Sequence, residues 1–215
     1  MLFRSRVART QEGLRRLEAD VLLVSSEAEF RYFTGFASEF WQSPTRPFYA
    51  IIPSEGAPSV LVPEIAAHCF EGAWLAHIHT WPAPRPADDG ISVLAKILHD
   101  SSRRFGRVAK PLGHETRLGM PVEDFLFLTK ALEPKLTLVD AAPLIRELRS
   151  VKSAAEIAKI EAICHLASDA MHTMPDFVVP GMSETAIARR MRTEMLARGA
   201  DRSPYMVVQI GRAHV

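Results

Sequence analysis

The chain has 215 residues, 47% hydrophobic and 24% charged, the balance of an ordinary globular protein with room for one full core or one and a half domains. Its 26 basic and 25 acidic residues leave a formal charge of +1, which gives no bulk attraction to a phosphate backbone and weighs against nucleic acid as a partner. The Arg-rich start, Met1 to Thr10, lacks the apolar centre of a signal peptide, and no window approaches the roughly 18 apolar residues of a membrane span, so a cytoplasmic protein without a membrane partner is expected.

In chain order, Phe3 to Glu18 places Val7, Leu14 and Leu17 among Arg and Glu and reads as an amphipathic helix. Val21 to Val24 is a short, wholly apolar run that suits a strand buried on both faces. Ser26 caps a short helix, with Glu29 at the capping-box position, and Gly35 stops it. A proline- and aromatic-rich loop, Phe40 to Phe48, leads to two paired strands, Tyr49 to Ile52 and Ser59 to Val62. Pro63 opens a helix to about Glu71, His77 to Trp81 is a strand, and Asp88-Asp89 start a helix running to about Arg104. Arg107 to Lys110 and Leu112 to Glu115 read as strand, Pro121 to Leu132 as helix, and Leu136 to Val139 as strand. Asp140 caps the helix Pro143 to Arg149.

Strands that alternate with helices in this way specify a three-layer α/β domain. Beyond it, Ser153 and Glu156 form a capping box for a long helix to about Thr173, whose Ile157, Ile160, Cys164, Ala167 and Met171 make an apolar stripe. Val179-Pro180-Gly181 is a turn and Ser183 begins a helix to about Arg198, with Ile187, Met191 and Met195 inward and the arginines solvated. Tyr205 to Val208 reads as a strand. The two cysteines, Cys69 and Cys164, lie far apart with no ligand spacing and are expected as buried free thiols, which suits a reducing compartment.

Few residues invite a chemical role. His77 and His79 share one face of a strand but have no third ligand in a recognisable pattern. His114-Glu115 reads as loop-fixing rather than acid–base chemistry, and His165 and His172 stand two turns apart on one helix, too far for one ion. The loop Trp41-Gln-Ser-Pro-Thr-Arg-Pro-Phe48 is more promising, because two prolines stiffen it while it presents Trp41 and Arg46.

Four stretches, in order, resemble the aminopeptidase P, prolidase and creatinase family of the pita-bread fold. They are Asp20 to Val24 with Tyr32-Phe33-Thr34-Gly35-Phe36, then Leu112-Gly113-His114-Glu115, then Leu148 to Ile160, then Pro180-Gly181-Met182-Ser183-Glu184. The resemblance implies a creatinase-type N-terminal domain with a mixed sheet over residues 1–149. It implies the truncated start of a pita-bread α+β catalytic domain over 150–209, with residues 1–149 folding by themselves and the remainder loose. Ile210 to Val215 has no counterpart there and reads as a non-native tail, one back-translation of which matches a common sequencing adapter.

The activity implied is that of a Xaa-Pro peptidase, cleaving short peptides next to proline with two divalent metal ions, manganese or cobalt, that activate a bridging water. In the family the ligands, two Asp, one His and two Glu, lie on strands beyond the point this chain reaches. No catalytic residue and no metal ligand are therefore expected here, and the chain alone is expected to be inactive. Two alternatives stand beside it: a creatinase-like amidinohydrolase, and a non-catalytic protein-binding module of the same architecture. The resemblance further implies a homodimer in which the N-terminal domain edges the partner's substrate pocket. Trp41 and Arg46 are then the candidate substrate contacts in trans, Arg46 pairing with a substrate carboxylate. The plainer possibility is that Trp41 packs on the sheet and Arg46 is solvated.

Overall fold

A computed structural model describes residues 2–43, 45–75 and 77–211 of the chain, which forms two compact units, 1–150 and 151–215. In the first unit the elements follow as α1 (Leu2–Arg16), β1 (Val21–Val24), α2 (Glu27–Thr34), β2 (Tyr49–Pro53), β3 (Ser59–Pro63), β4 (His77–Trp81), α3 (Ile91–Ser101), β5 (Arg107–Lys110), α4 (Val122–Leu132), β6 (Thr137–Asp140) and α5 (Ala142–Ser150). The six strands form one mixed sheet in the order β4-β3-β2-β1-β5-β6. β2 runs antiparallel to both β1 and β3, while β3–β4, β1–β5 and β5–β6 are parallel.

The continuous apolar run of β1 is explained by its central place, where side chains alternate between two cores. Leu22 and Val24 join Leu14, Phe30, Phe48, Leu144 and Leu148, which come from α1, α2, β2's approach and α5. Val21 and Leu23 face the opposite way, into Tyr49, Trp81, Leu94, Leu98, Leu128 and Leu132, where α3 and α4 cover the sheet. This is the three-layer α/β architecture expected.

Asp20, just ahead of β1, is 3% exposed and its carboxylate accepts the backbone N–H groups of Arg104, Phe105 and Arg107 at 2.8–3.2 Å. It fastens the entry of β5 to the entry of β1, across which only Val21↔Val108 and Leu22↔Ala109 pair. The caps are formed by the residues expected. Ser26 Oγ accepts the Glu29 N–H, Gly35 takes φ 81 to end α2, and Asp140 Oδ1 accepts the Ala142 N–H at 2.8 Å to start α5.

Three expectations need correction here. Leu112 to Glu115 is a turn, not a strand: Pro111 has no N–H for a ladder, and the N–H groups of Leu112 and Gly113 go to Asp140 Oδ1 at 2.9 and 3.0 Å. The helix after Pro63 is a tight 3-10 segment, Glu64–Phe70, of the kind used in short connectors. α3 begins at Ile91 rather than at Asp88, because Gly90 adopts φ 84 and Asp88 caps from outside by accepting the Ser92 N–H at 3.0 Å.

The second unit holds α6 (Ala154–His172), the one-turn α7 (Met174–Phe177) and α8 (Glu184–Ala197). Ser153 and Glu156 form the reciprocal capping box and Ser183 Oγ accepts the Ala186 N–H at 3.2 Å. Its interior is small: Ala170, Ile187, Met191 and Ala200 are buried, while Arg190 and Arg198 pair with Glu194. The stripe of α6 is largely exposed, with Ile157 and Ile160 at 47% and Met171 at 53%, and Ile163 beside it is as open. Tyr205 to Val208 pairs with no strand among the described residues, and Tyr205 is 84% exposed. Both cysteines are free but exposed, contrary to expectation: Cys164 lies on the uncovered helix and Cys69 on the outer side of the 3-10 segment. Of the expected non-native tail, residues 212–215 lie outside the described residues.

Candidate binding cavity

The first unit carries a cavity of about 680 Å³, within the range of small-molecule sites. Its walls come from four places: the exit of β1 with the first turn of α2, the loop 40–48, the loop 115–121, and Arg149 of α5.

Local sequence explains each wall. Ser38 Oγ accepts the Phe40 N–H at 3.1 Å and starts the 3-10 turn Glu39–Gln42 that carries Trp41. Trp41 then packs on Phe30 and Phe48, with ring centroids 5.3 and 5.4 Å away, and its Nε1 is buried without a partner. Arg46 sits at φ 63, a left-handed conformation that a non-glycine residue holds only when its surroundings over-determine it.

The loop 115–121 is tied down beneath the cavity. Ser25 Oγ donates to the Leu118 carbonyl at 2.5 Å, and Lys110 Nζ donates to Ser25 Oγ and, at 3.3 Å, to the same carbonyl. Gly119, at φ 66, lies so close to β1's exit that a Cβ would stand 2.2 Å from the Ser25 carbonyl oxygen, so no side chain fits there. Lys110 is 1% exposed, and burial lowers its amine from 10.5 to about 8, with Glu29 opposing the shift.

Glu29 is the buried one among the charged residues that line the cavity. It is 6% exposed, and burial raises its carboxyl above the usual range against the opposing pull of Arg149 and Lys110. Among the described residues its carboxylate accepts no hydrogen bond and has no ion-pair partner. Arg46, Arg117 and Arg149, with Glu27 and Glu115, also line the cavity, and Arg149 is the arginine whose charge acts on Glu29.

Trp41 and Arg46, singled out from sequence, thus border one cavity. Glu29, Arg117 and Arg149 were not read as site residues, since a carboxylate or arginine in an amphipathic segment ordinarily faces solvent. His77 and His79, on β4, are not among the lining residues, and burial with the neighbouring His77 lowers the His79 imidazole. In the second unit His165 and His172 are exposed on α6. Among the described residues no group of three or more His, Cys, Asp or Glu side chains is arranged to hold a metal ion. The residues present therefore do not fit the metal pair that the resemblance implies. No described helix is long and apolar enough to cross a membrane.

Comparison with known proteins agrees with this fold. A prolidase from Thermococcus sibiricus superposes with a TM-score of 0.79 at 22% identity, over 94% of this chain and 52% of that one. An uncharacterized peptidase, YqhT of Bacillus subtilis (strain 168), is 37% identical over 75 residues, 34% of this chain and 21% of its own. The agropine synthesis cyclase of Rhizobium rhizogenes is 23% identical over 209 residues, 93% of this chain and 50% of its own. The chain spans half or less of these curated relatives. The Creatinase/Prolidase N-terminal domain family matches residues 6–151, the first unit almost end to end, and by that match the chain belongs to the creatinase/prolidase family.

Proposed function

We propose that this chain supplies the N-terminal part of a Xaa-Pro peptidase-type hydrolase, one that cleaves short peptides next to proline. The observation that carries the reading is the family match over residues 6–151, joined to a prolidase fold along 94% of the chain. In this reading two divalent metals, manganese or cobalt, are held by residues outside this sequence and supply the activated water. The chain's own contribution is positional. In a homodimer, Trp41 would wall the partner's peptide site and Arg46 would pair with the substrate carboxylate in bidentate fashion. The cytoplasm is the compartment we assign, consistent with two unpaired, exposed thiols.

The test is hydrolysis of Xaa-Pro dipeptides by the product of the whole gene, with manganese or cobalt added. Cleavage whose KM rises in Arg46→Ala at unchanged kcat supports the reading, and a whole product that cleaves no Xaa-Pro peptide overturns it. The 215-residue chain alone is expected to be inactive and to bind no manganese by calorimetry. A second reading is favoured by the 93% coverage of the agropine synthesis cyclase: a related fold put to cyclisation rather than peptide cleavage. A whole product that cyclises an opine-type precursor and leaves Xaa-Pro peptides intact would select it.

A further inference from the structure

β4 is an edge of the sheet, and its outer side pairs with no strand among the described residues. Alternation places His77, His79 and Trp81 on one face, and burial deepens along that row. His77 is exposed, His79 is half-buried, and Trp81 is enclosed with Leu61 and Leu94. Neither imidazole takes part in a hydrogen bond or an ion pair among the described residues. The two rings are close enough for the charge of His77 to act on His79. His68 and His99 differ in being engaged already: His68 Nε2 meets Cys69 Sγ at 3.4 Å, and His99 Nε2 meets the Ala131 carbonyl at 3.0 Å.

Two residues of strand advance about 6.6 Å, and the pairings Ser59↔His77 and Leu61↔His79 fix that spacing from the inner side. An ion about 2.0–2.1 Å from each nitrogen needs the two nitrogens about 3.3 Å apart, which the imidazoles reach by leaning toward one another. Because the backbone is held beforehand, only side-chain rotations are lost when an ion arrives. We propose that His77 and His79 chelate one divalent transition-metal ion of the nickel, copper or zinc type at the open edge of β4, with water completing its coordination. Two neutral nitrogen ligands rank such ions in the usual order, with manganese at the bottom and copper at the top. The site differs in place and in ligand chemistry from the metal pair of the proposed hydrolase, and it stands or falls independently of that reading.

The experiment titrates divalent nickel, and separately divalent manganese, into the 215-residue chain, followed by calorimetry and by NMR line broadening. One nickel ion should bind, at least about tenfold more tightly than manganese, and it should broaden the signals of His77 and His79 before those of any other residue. His77→Gln and His79→Gln, both outside the closed core, should each weaken nickel binding at least about tenfold, while Cys69→Ser leaves it unchanged. No binding at about 1 mM nickel, first broadening at another residue, or a loss confined to one of the two histidine variants overturns the chelate. The broadening is read on the parent chain, so the assignment is tested without relying on the folding of any variant.

Discussion

The two units of this chain are built from similar pieces yet hold themselves together very differently. In residues 1–150 every strand of the sheet's centre is sealed on both faces, and Leu22, Leu23, Val60, Leu61 and Val108 are all inaccessible to solvent. In residues 151–215 two well-capped helices bury little beyond Ala170, Ile187 and Met191, and the apolar stripe of α6 stays half open. Good caps and a regular period are worth about 1 kcal/mol each, whereas a closed core is worth tens. The comparison teaches that local helix signals are equally strong in a unit with a closed core and in one that buries little apolar surface.

The largest test of this difference is limited trypsin digestion with amide exchange. Cleavage is expected first around Arg149 and Lys152, releasing a resistant piece close to residues 1–150, with the amides of β1, β2 and β3 the slowest to exchange. Uniform resistance through α8 would erase the contrast. A smaller effect separates single side chains. Phe30→Ala, which opens the ring cluster of Phe36, Trp41, Phe48 and Phe70, should cost about 3–5 kcal/mol in denaturant unfolding, while Ile160→Ser should stay within about 0.5 kcal/mol. An Ile160→Ser cost near that of Phe30→Ala would mean that α6 has cover in solution.

The third test is a pH profile. Burial leaves Lys110 with a folded value of about 8 against 10.5 when unfolded, so between these values the unfolded chain holds a proton that the folded one has released. The group therefore lowers stability at neutral pH, and that cost of about 3 kcal/mol is relieved as pH climbs from about 8 toward 10.5. Midpoints measured across this window should rise more steeply in the parent than in Lys110→Met. Parallel profiles would show that the amine is solvated rather than enclosed beneath the cavity.

Much of the fold could be read directly. β1 matches its expected bounds because four consecutive apolar residues have one economical use, the middle of a two-faced sheet. Ser26, Gly35, Asp140 and Ser153 act as caps because their chemistry is local. The failures are those where a local signal depends on a distant partner. The stripe of α6 and the β-type run at Tyr205 announce burial and pairing whether or not a covering surface is present. The cavity shows the same division: Trp41 and Arg46 stand out inside one stiff loop, whereas Glu29, Arg117 and Arg149 meet only after the sheet has closed, and no spacing along the chain records that meeting.

Asp20 makes the last point concrete. The sheet has a seam, with a four-strand half from residues 21–81 stitched to a two-strand half by a pair of short parallel strands and one carboxylate grasping three amides. The cavity straddles that seam, taking Glu29 and Arg46 from one side and Arg117 and Arg149 from the other. Those walls keep their spacing only while the two halves stay joined, so loosening the stitch at Asp20 should disturb the cavity as well as the sheet.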